Sequence, residues 1–154
     1  MSKRSAGILL YRTIKKQLQV FLVHPGGPFW KNKDIGAWSI PKGEFDEDED
    51  PLVAAKREFE EELGFKAPAV NYHPLNPVKQ KSGKMVFAFT AEADIDVSNF
   101  KSNHIEIEWP PRSGKKISIP EVDKAEWFPI DIAREKINPA QQSLLNELQA
   151  LSSK

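Results

Sequence analysis

The segment D-P-L-V-A-A-K-R-E-F-E-E-E-L-G, residues 50–64, constrains the fold more than any other stretch of this chain. Both of its ends are marked. Asp50 before Pro51 sets an N-cap carboxylate ahead of a proline at the first helical position, where the lost N–H is not missed. Gly64 suits the left-handed conformation that closes a helix. The spacing predicts a helix over 51–63. At about 100° per residue, Leu52, Ala55, Phe59 and Leu63 form an apolar stripe for a core. Glu60 points away near Lys56, and Glu58, Glu61 and Glu62 share a third face.

Three carboxylates on one face repel each other. They also lie towards the helix C-terminus, where the macrodipole disfavours anions. A solvated acidic surface gains nothing from that arrangement, whereas a divalent cation removes the repulsion. Carboxylate oxygens are hard donors that suit Mg²⁺ or Mn²⁺ better than Zn²⁺. A calcium loop fails the test. Asp46, Asp48 and Asp50 have the first three spacings, but the glycine position holds Pro51 and the closing glutamate position holds Arg57.

Composition narrows the function classes. With 22 basic and 22 acidic residues the net charge is zero, so no global basic field favours nucleic acid. The absence of cysteine removes disulfides, thiolate metal sites and cysteine nucleophiles. No run approaches the ~20 apolar residues of a membrane span, and the apolar run in M-S-K-R-S-A-G-I-L-L-Y-R is too short for a signal peptide. A cytoplasmic protein without membrane partners is expected, with residues 1–154 as one domain. Nothing in the sequence sets an oligomeric state.

Residues 6–12 and 18–24 read as two strands of a hairpin across T-I-K-K-Q. A short strand is expected at W-S-I-P (38–41), and longer ones at 84–94 and 104–109, the latter followed by a P-P-R-S-G-K-K loop. A-E-W-F-P-I-D leads into a helical C-terminal part, with Asp131 capping one short helix and Asn138-Pro139 starting another. Mixed strands and helices indicate an α/β or α+β domain.

A wider frame surrounds the acidic helix: Gly43, five residues, Glu49, seven residues, Arg57-Glu58-Phe59, one residue, Glu61-Glu62, one residue, Gly64-Phe65. It resembles the Nudix box of the nucleoside-diphosphate-X hydrolases, G-x5-E-x7-R-E-U-x-E-E-x-G-U with U a bulky apolar residue. At about 5–7% abundance per residue, seven fixed positions match by chance in fewer than about one chain in a million. Both U positions are Phe, where aliphatic residues are commoner. W-S-I-P-K-G-E before the box and A-E-W-F-P-I-D after it are also similar to Nudix sequence.

The resemblance implies an α/β/α sandwich with a mixed sheet. It also implies a metal-dependent hydrolase that cleaves a phosphoanhydride bond in a nucleoside polyphosphate or nucleoside-diphosphate derivative. Glu58, Glu61 and Glu62 would be ligands to Mg²⁺ or Mn²⁺, joined by a backbone carbonyl beside Gly43, that of Lys42. Glu49 and Arg57 would support them, Gly43 would serve a turn and Gly64 the helix stop. Metals shield phosphate charge and lower the pKa of a bound water, so direct water attack on phosphorus is expected, with Glu58, Glu61 and Arg57 in the catalytic centre. The W-x-x-P-K-G word resembles the branch acting on dinucleoside polyphosphates and diphosphoinositol phosphates. Lys42 offers a charge to such a phosphate chain, or is a solvated turn lysine. Phe29, Trp30 and Trp109 could stack on a base or form small satellite cores. His24 reads as structural. The general base is sought among Glu106, Glu108, Glu121 and Glu126. Glu121 is favoured because it lies on the loop where several Nudix proteins carry an extra glutamate. The alternative is a Nudix-fold module that binds a nucleotide without hydrolysis.

Overall fold

The computed structural model describes residues 3–68 and 70–152. Strands β1 (Arg4–Ile14) and β2 (Gln17–Pro25) form the expected antiparallel hairpin. Its two-residue turn is Lys15-Lys16, both with positive φ, as a tight hairpin matched to strand twist requires. Next come β3 (Lys42–Glu44), helix α1 (Pro51–Leu63), β4 (His73–Pro74), β5 (Val78–Lys79) and β6 (Met85–Glu92). The chain continues with β7 (His104–Glu108), β8 (Lys116–Pro120), β9 (Val122–Pro129), α2 (Ile130–Lys136), a 3-10 turn (Pro139–Gln141) and α3 (Gln142–Ser152).

The main sheet runs β4-β6-β1-β2-β9, with β3 added to β1 and β5 to β6. It is mixed, because β1 pairs parallel with β6 and antiparallel with β2 and β3. The apolar run of β1 is continuous because both faces of the sheet are covered. Ile8, Leu10, Phe21 and Val23 pack under α1 with Ala54, Ala55, Phe59 and Leu63. Leu9, Val20 and Leu22 pack on the opposite face with Ala133, Leu144, Leu145 and Leu148 of α2 and α3. The result is helix, sheet, helix. Phe59 is fully buried, which contributes about 1.5–3 kcal/mol.

Helix α1 has the expected bounds. The Asp50 carboxylate accepts from Val53 N–H at 3.1 Å, and Gly64 closes the helix at φ 80°. The apolar stripe is shifted: Leu52 is half-buried and Ala54 takes a core place beside Ala55. Other expectations need correction. W-S-I-P forms isolated bridges, Ser39 to Val23 and Trp38 to Ile137, and the strand on β1 lies further along at Lys42–Glu44. Asp131 does not cap α2. It sits in the first turn, the N-cap position is held by Pro129, and no side chain caps that end. Asn138 does act as a cap, accepting from Ala140 N–H at 2.9 Å. Strands β7 and β8 pair only with each other, as a two-stranded ribbon beside the main sheet. No described helix is long and apolar enough to cross a membrane.

Candidate active site

Helix α1 lies with its glutamate face towards β3. Glu58 and Glu62 are 8% and 4% exposed, while Glu61 is open to solvent and Glu60 points outward. Arg57 organises the outer part of this face. Its Nε and Nη2 donate to the two Glu49 oxygens, both at 3.0 Å, a parallel two-bond grip that only a guanidinium can make. Its Nη1 donates to Glu58 at 2.9 Å and Glu61 at 3.4 Å. One cation thus ties three box carboxylates together.

Gly43 shows why the box begins with glycine, and the reason is not a turn. It lies inside β3 without a positive φ. A Cβ there would stand 2.1 Å from the Glu58 carboxyl carbon and 2.2 and 2.5 Å from its oxygens. Glycine leaves room for the Glu58 carboxylate to pack directly on the strand backbone, and a Cβ would push that carboxylate from its place.

The β3 register settles where the Lys42 backbone points. Ile8 N–H donates to Pro41 O, and Phe45 N–H donates to Arg4 O, both at 3.1 Å. The hydrogen-bonded partners alternate from there, so Lys42, opposite Gly7, is a non-bonded position. Its N–H and C=O face away from β1, and the Lys42 backbone lies near enough to the Glu62 carboxylate to favour its charged form.

Glu121 joins this group from outside the box. It occupies the one-residue link between β8 and β9 and, with Lys42, Glu62, Ser39, Ile40 and Val122, lines a cavity of about 150 Å³. That is room for a few water molecules or a phosphate group. Burial pushes the Glu58 carboxyl up to about 7, with the Glu61 charge adding to it and Arg57 opposing it. Burial, followed by the Glu121 charge, holds Glu62 well above the ordinary carboxylate range. The Lys42 ammonium is pulled below its usual value by burial and by Lys84, against Glu62 and Glu121.

Buried, mutually repelling carboxylates fit a divalent cation, and hard oxygen donors fit Mg²⁺ or Mn²⁺. Among the described residues no three acidic or histidine side chains stand already assembled as a metal cage. Arg57 holds Glu58 and Glu61 in their present positions. The other candidates lie elsewhere. Glu106 and Glu108 are exposed on β7, where Glu108 accepts from Gly114 N–H at 2.9 Å, and Glu126 is exposed on β9. Phe29 is 53% exposed and packs edge-on to Trp30 at 5.0 Å, with the Lys33 ammonium 3.5 Å from its centroid. Neither ring lines the cavity, and Trp109 is half-buried at the end of the ribbon. His24 is buried, its ring nitrogens 2.7 Å from Asp123 and 2.6 Å from the Lys33 carbonyl.

The family model of the NUDIX domain matches residues 1–148, and the chain belongs to the Nudix family. Members of that family are in general pyrophosphohydrolase-type enzymes that use divalent metals such as Mg²⁺ or Mn²⁺. Solved structures with the same fold include an Ap4A hydrolase binary complex from C. elegans, 21% identical over 98% of both chains with a TM-score of 0.66. Another is the NUDIX domain of Shewanella oneidensis NrtR complexed with ADP ribose, 17% identical over 100% of this chain and 90% of that one, TM-score 0.65. A mutT/nudix family protein from Listeria innocua is 18% identical over 98% and 94%, TM-score 0.65. No curated protein matches the sequence.

Proposed function

We propose that the protein hydrolyses a phosphoanhydride bond in a nucleoside polyphosphate or nucleoside-diphosphate derivative, with dinucleoside polyphosphates as the favoured class. The observation that carries this reading is the convergence of Glu62 from α1, Glu121 from the β8–β9 link and Lys42 from β3 around one small cavity, with the Glu58 charge close enough to act on Glu62. Glu58, Glu61 and Glu62, with the Lys42 carbonyl, would hold Mg²⁺ or Mn²⁺. Such an ion, when bound, shields phosphate charge and makes a water nucleophilic at neutral pH.

The remaining work falls to the chain itself. Arg57, held by Glu49, fixes the orientation of Glu58 and Glu61. The Lys42 ammonium, close to the cavity and partly desolvated, supplies positive charge to a bridging phosphate chain. Glu121 stands beside the ligand set and takes the proton of the attacking water, so no covalent enzyme intermediate is needed. Phe29 and Trp30, on the loop after β2, offer an aromatic contact for a base. The lean towards bridged polyphosphates rests on Lys42 in W-S-I-P-K-G-E. A sensor that only binds nucleotide has no need of the full carboxylate set.

The test is a panel of nucleoside triphosphates, dinucleoside tetraphosphate, ADP-ribose and diphosphoinositol phosphates with Mg²⁺ in ¹⁸O-water, with products resolved by mass. Dinucleoside tetraphosphate is expected to turn over fastest, with one ¹⁸O in a phosphate of the product. Efficient turnover of ADP-ribose alone would overturn the substrate class. Binding without turnover of any compound would favour the sensor.

A further inference from the structure

The last turn of α1 ends in carbonyls that its own helix cannot satisfy. The segment 101–103 satisfies two of them: Lys101 N–H donates to Leu63 O at 2.9 Å, and Asn103 N–H donates to Glu61 O at 3.0 Å. The same Asn103 turns its carbonyl the other way and accepts from Glu121 N–H at 3.0 Å. A single residue therefore bridges the backbone of the box helix to the backbone of Glu121. On its far side, Glu121 O accepts from Gly26 N–H at 3.0 Å.

Ser102 locks this bridge. Its side chain is buried, and its Oγ accepts from Val122 N–H at 2.9 Å. Its hydroxyl proton goes to the Asn103 carbonyl, also at 2.9 Å. One hydroxyl thus binds the amide just after Glu121 and the carbonyl that holds Glu121's own amide. Glu121 sits in a one-residue link, so these bonds set the height of its side chain above the carboxylates of α1. Without the hydroxyl, a buried N–H at Val122 loses its partner, and the link is free to shift to find another.

We propose that Ser102 is a positioning residue that fixes Glu121 relative to the metal-binding face of α1. The inference rests on the reading of Glu121 given above. It makes Ser102 part of the reaction although it is far from the cavity lining in sequence and carries no charge. Outer partners of this kind are worth about 10–100-fold in activity.

The test is a double-mutant cycle on the full chain, with Mg²⁺ and the best substrate of the panel. Ser102→Ala should lower kcat about 10–100-fold, with KM and the Mg²⁺ concentration for half-maximal rate little changed. In a Glu121→Gln background the same change should cost nothing further, because its effect passes through Glu121. Ser102→Thr, which keeps the hydroxyl, should recover most of the lost kcat. If the alanine variant is too unstable to assay, Ser102→Cys fills the volume with only a weak acceptor and enters the same cycle. An equal loss in both backgrounds would mean that Ser102 supports the fold alone, and would overturn the proposal. So would wild-type kcat in Ser102→Ala alongside a slow Glu121→Gln. Wild-type kcat in Glu121→Gln would instead remove the reading on which the proposal stands.

Discussion

At the scale of single residues, the site divides its glutamates by burial. Glu62 sits deep, beside Lys42 and Glu121 in the cavity wall, while Glu61 stays open and shares Arg57 with Glu58. Glu62→Gln and Glu61→Gln should each lower kcat by about 10² or more, since a metal-bound carboxylate supports several kcal/mol of charge stabilisation. Glu60→Gln, on the solvent side of the same turn, should leave the rate unchanged, and steady-state assays at saturating Mg²⁺ compare the three. Arg57→Lys probes orientation instead of ligation. Lysine keeps the charge but cannot hold both Glu49 oxygens while reaching Glu58. Its kcat should fall about 10–100-fold with an unaltered circular-dichroism spectrum; full activity would remove Arg57's orienting role.

At the scale of elements, α1 is the piece on which the site depends, and its stability is local. The cap bond from Asp50 to Val53 N–H is exposed and independent of the core. Asp50→Ala should therefore cost about 1 kcal/mol of stability, seen as a lower midpoint in urea, and leave kcat of the folded enzyme intact. That locality is also why α1 was legible in the sequence: both ends are written in side chains within a few residues. The hairpin of β1 and β2 was legible for a similar reason. β3 was not, because Lys-Gly-Glu has no strand propensity. It is a strand because Gly7 and Gly43 let it lie between β1 and Glu58. β4 and β5, of two residues each, leave no periodic trace. That Glu58, Glu61 and Glu62 lie near one another on α1 was readable from their spacing. The link through Ser102 and Asn103 was not, since it consists largely of backbone hydrogen bonds between segments distant in sequence, which no spacing of side chains records.

At the scale of the whole molecule, the carboxylate cluster makes stability depend on pH and on cations. Folding raises the Glu58 carboxyl to about 7 and Glu62 well above its usual range. A raised acid binds its proton more tightly folded than unfolded, so stability falls as pH climbs from the ordinary carboxylate value, 4.5, through about 7. In EDTA the Tm should decline across that window. Glu62→Gln, which carries no titrating group there, should show a flatter decline, and Mg²⁺ should restore the Tm of the wild type at neutral pH more than that of the variant. An equal pH response in both proteins would show that Glu62 ionises without cost. The central proposal is that the carboxylates of α1 form a metal-dependent hydrolytic centre. The most direct test is the rate of dinucleoside tetraphosphate hydrolysis by the wild-type protein with Mg²⁺, after EDTA, and after Mg²⁺ is returned. Hydrolysis should stop with EDTA and recover with the cation. A rate that is indifferent to the cation would contradict the proposal.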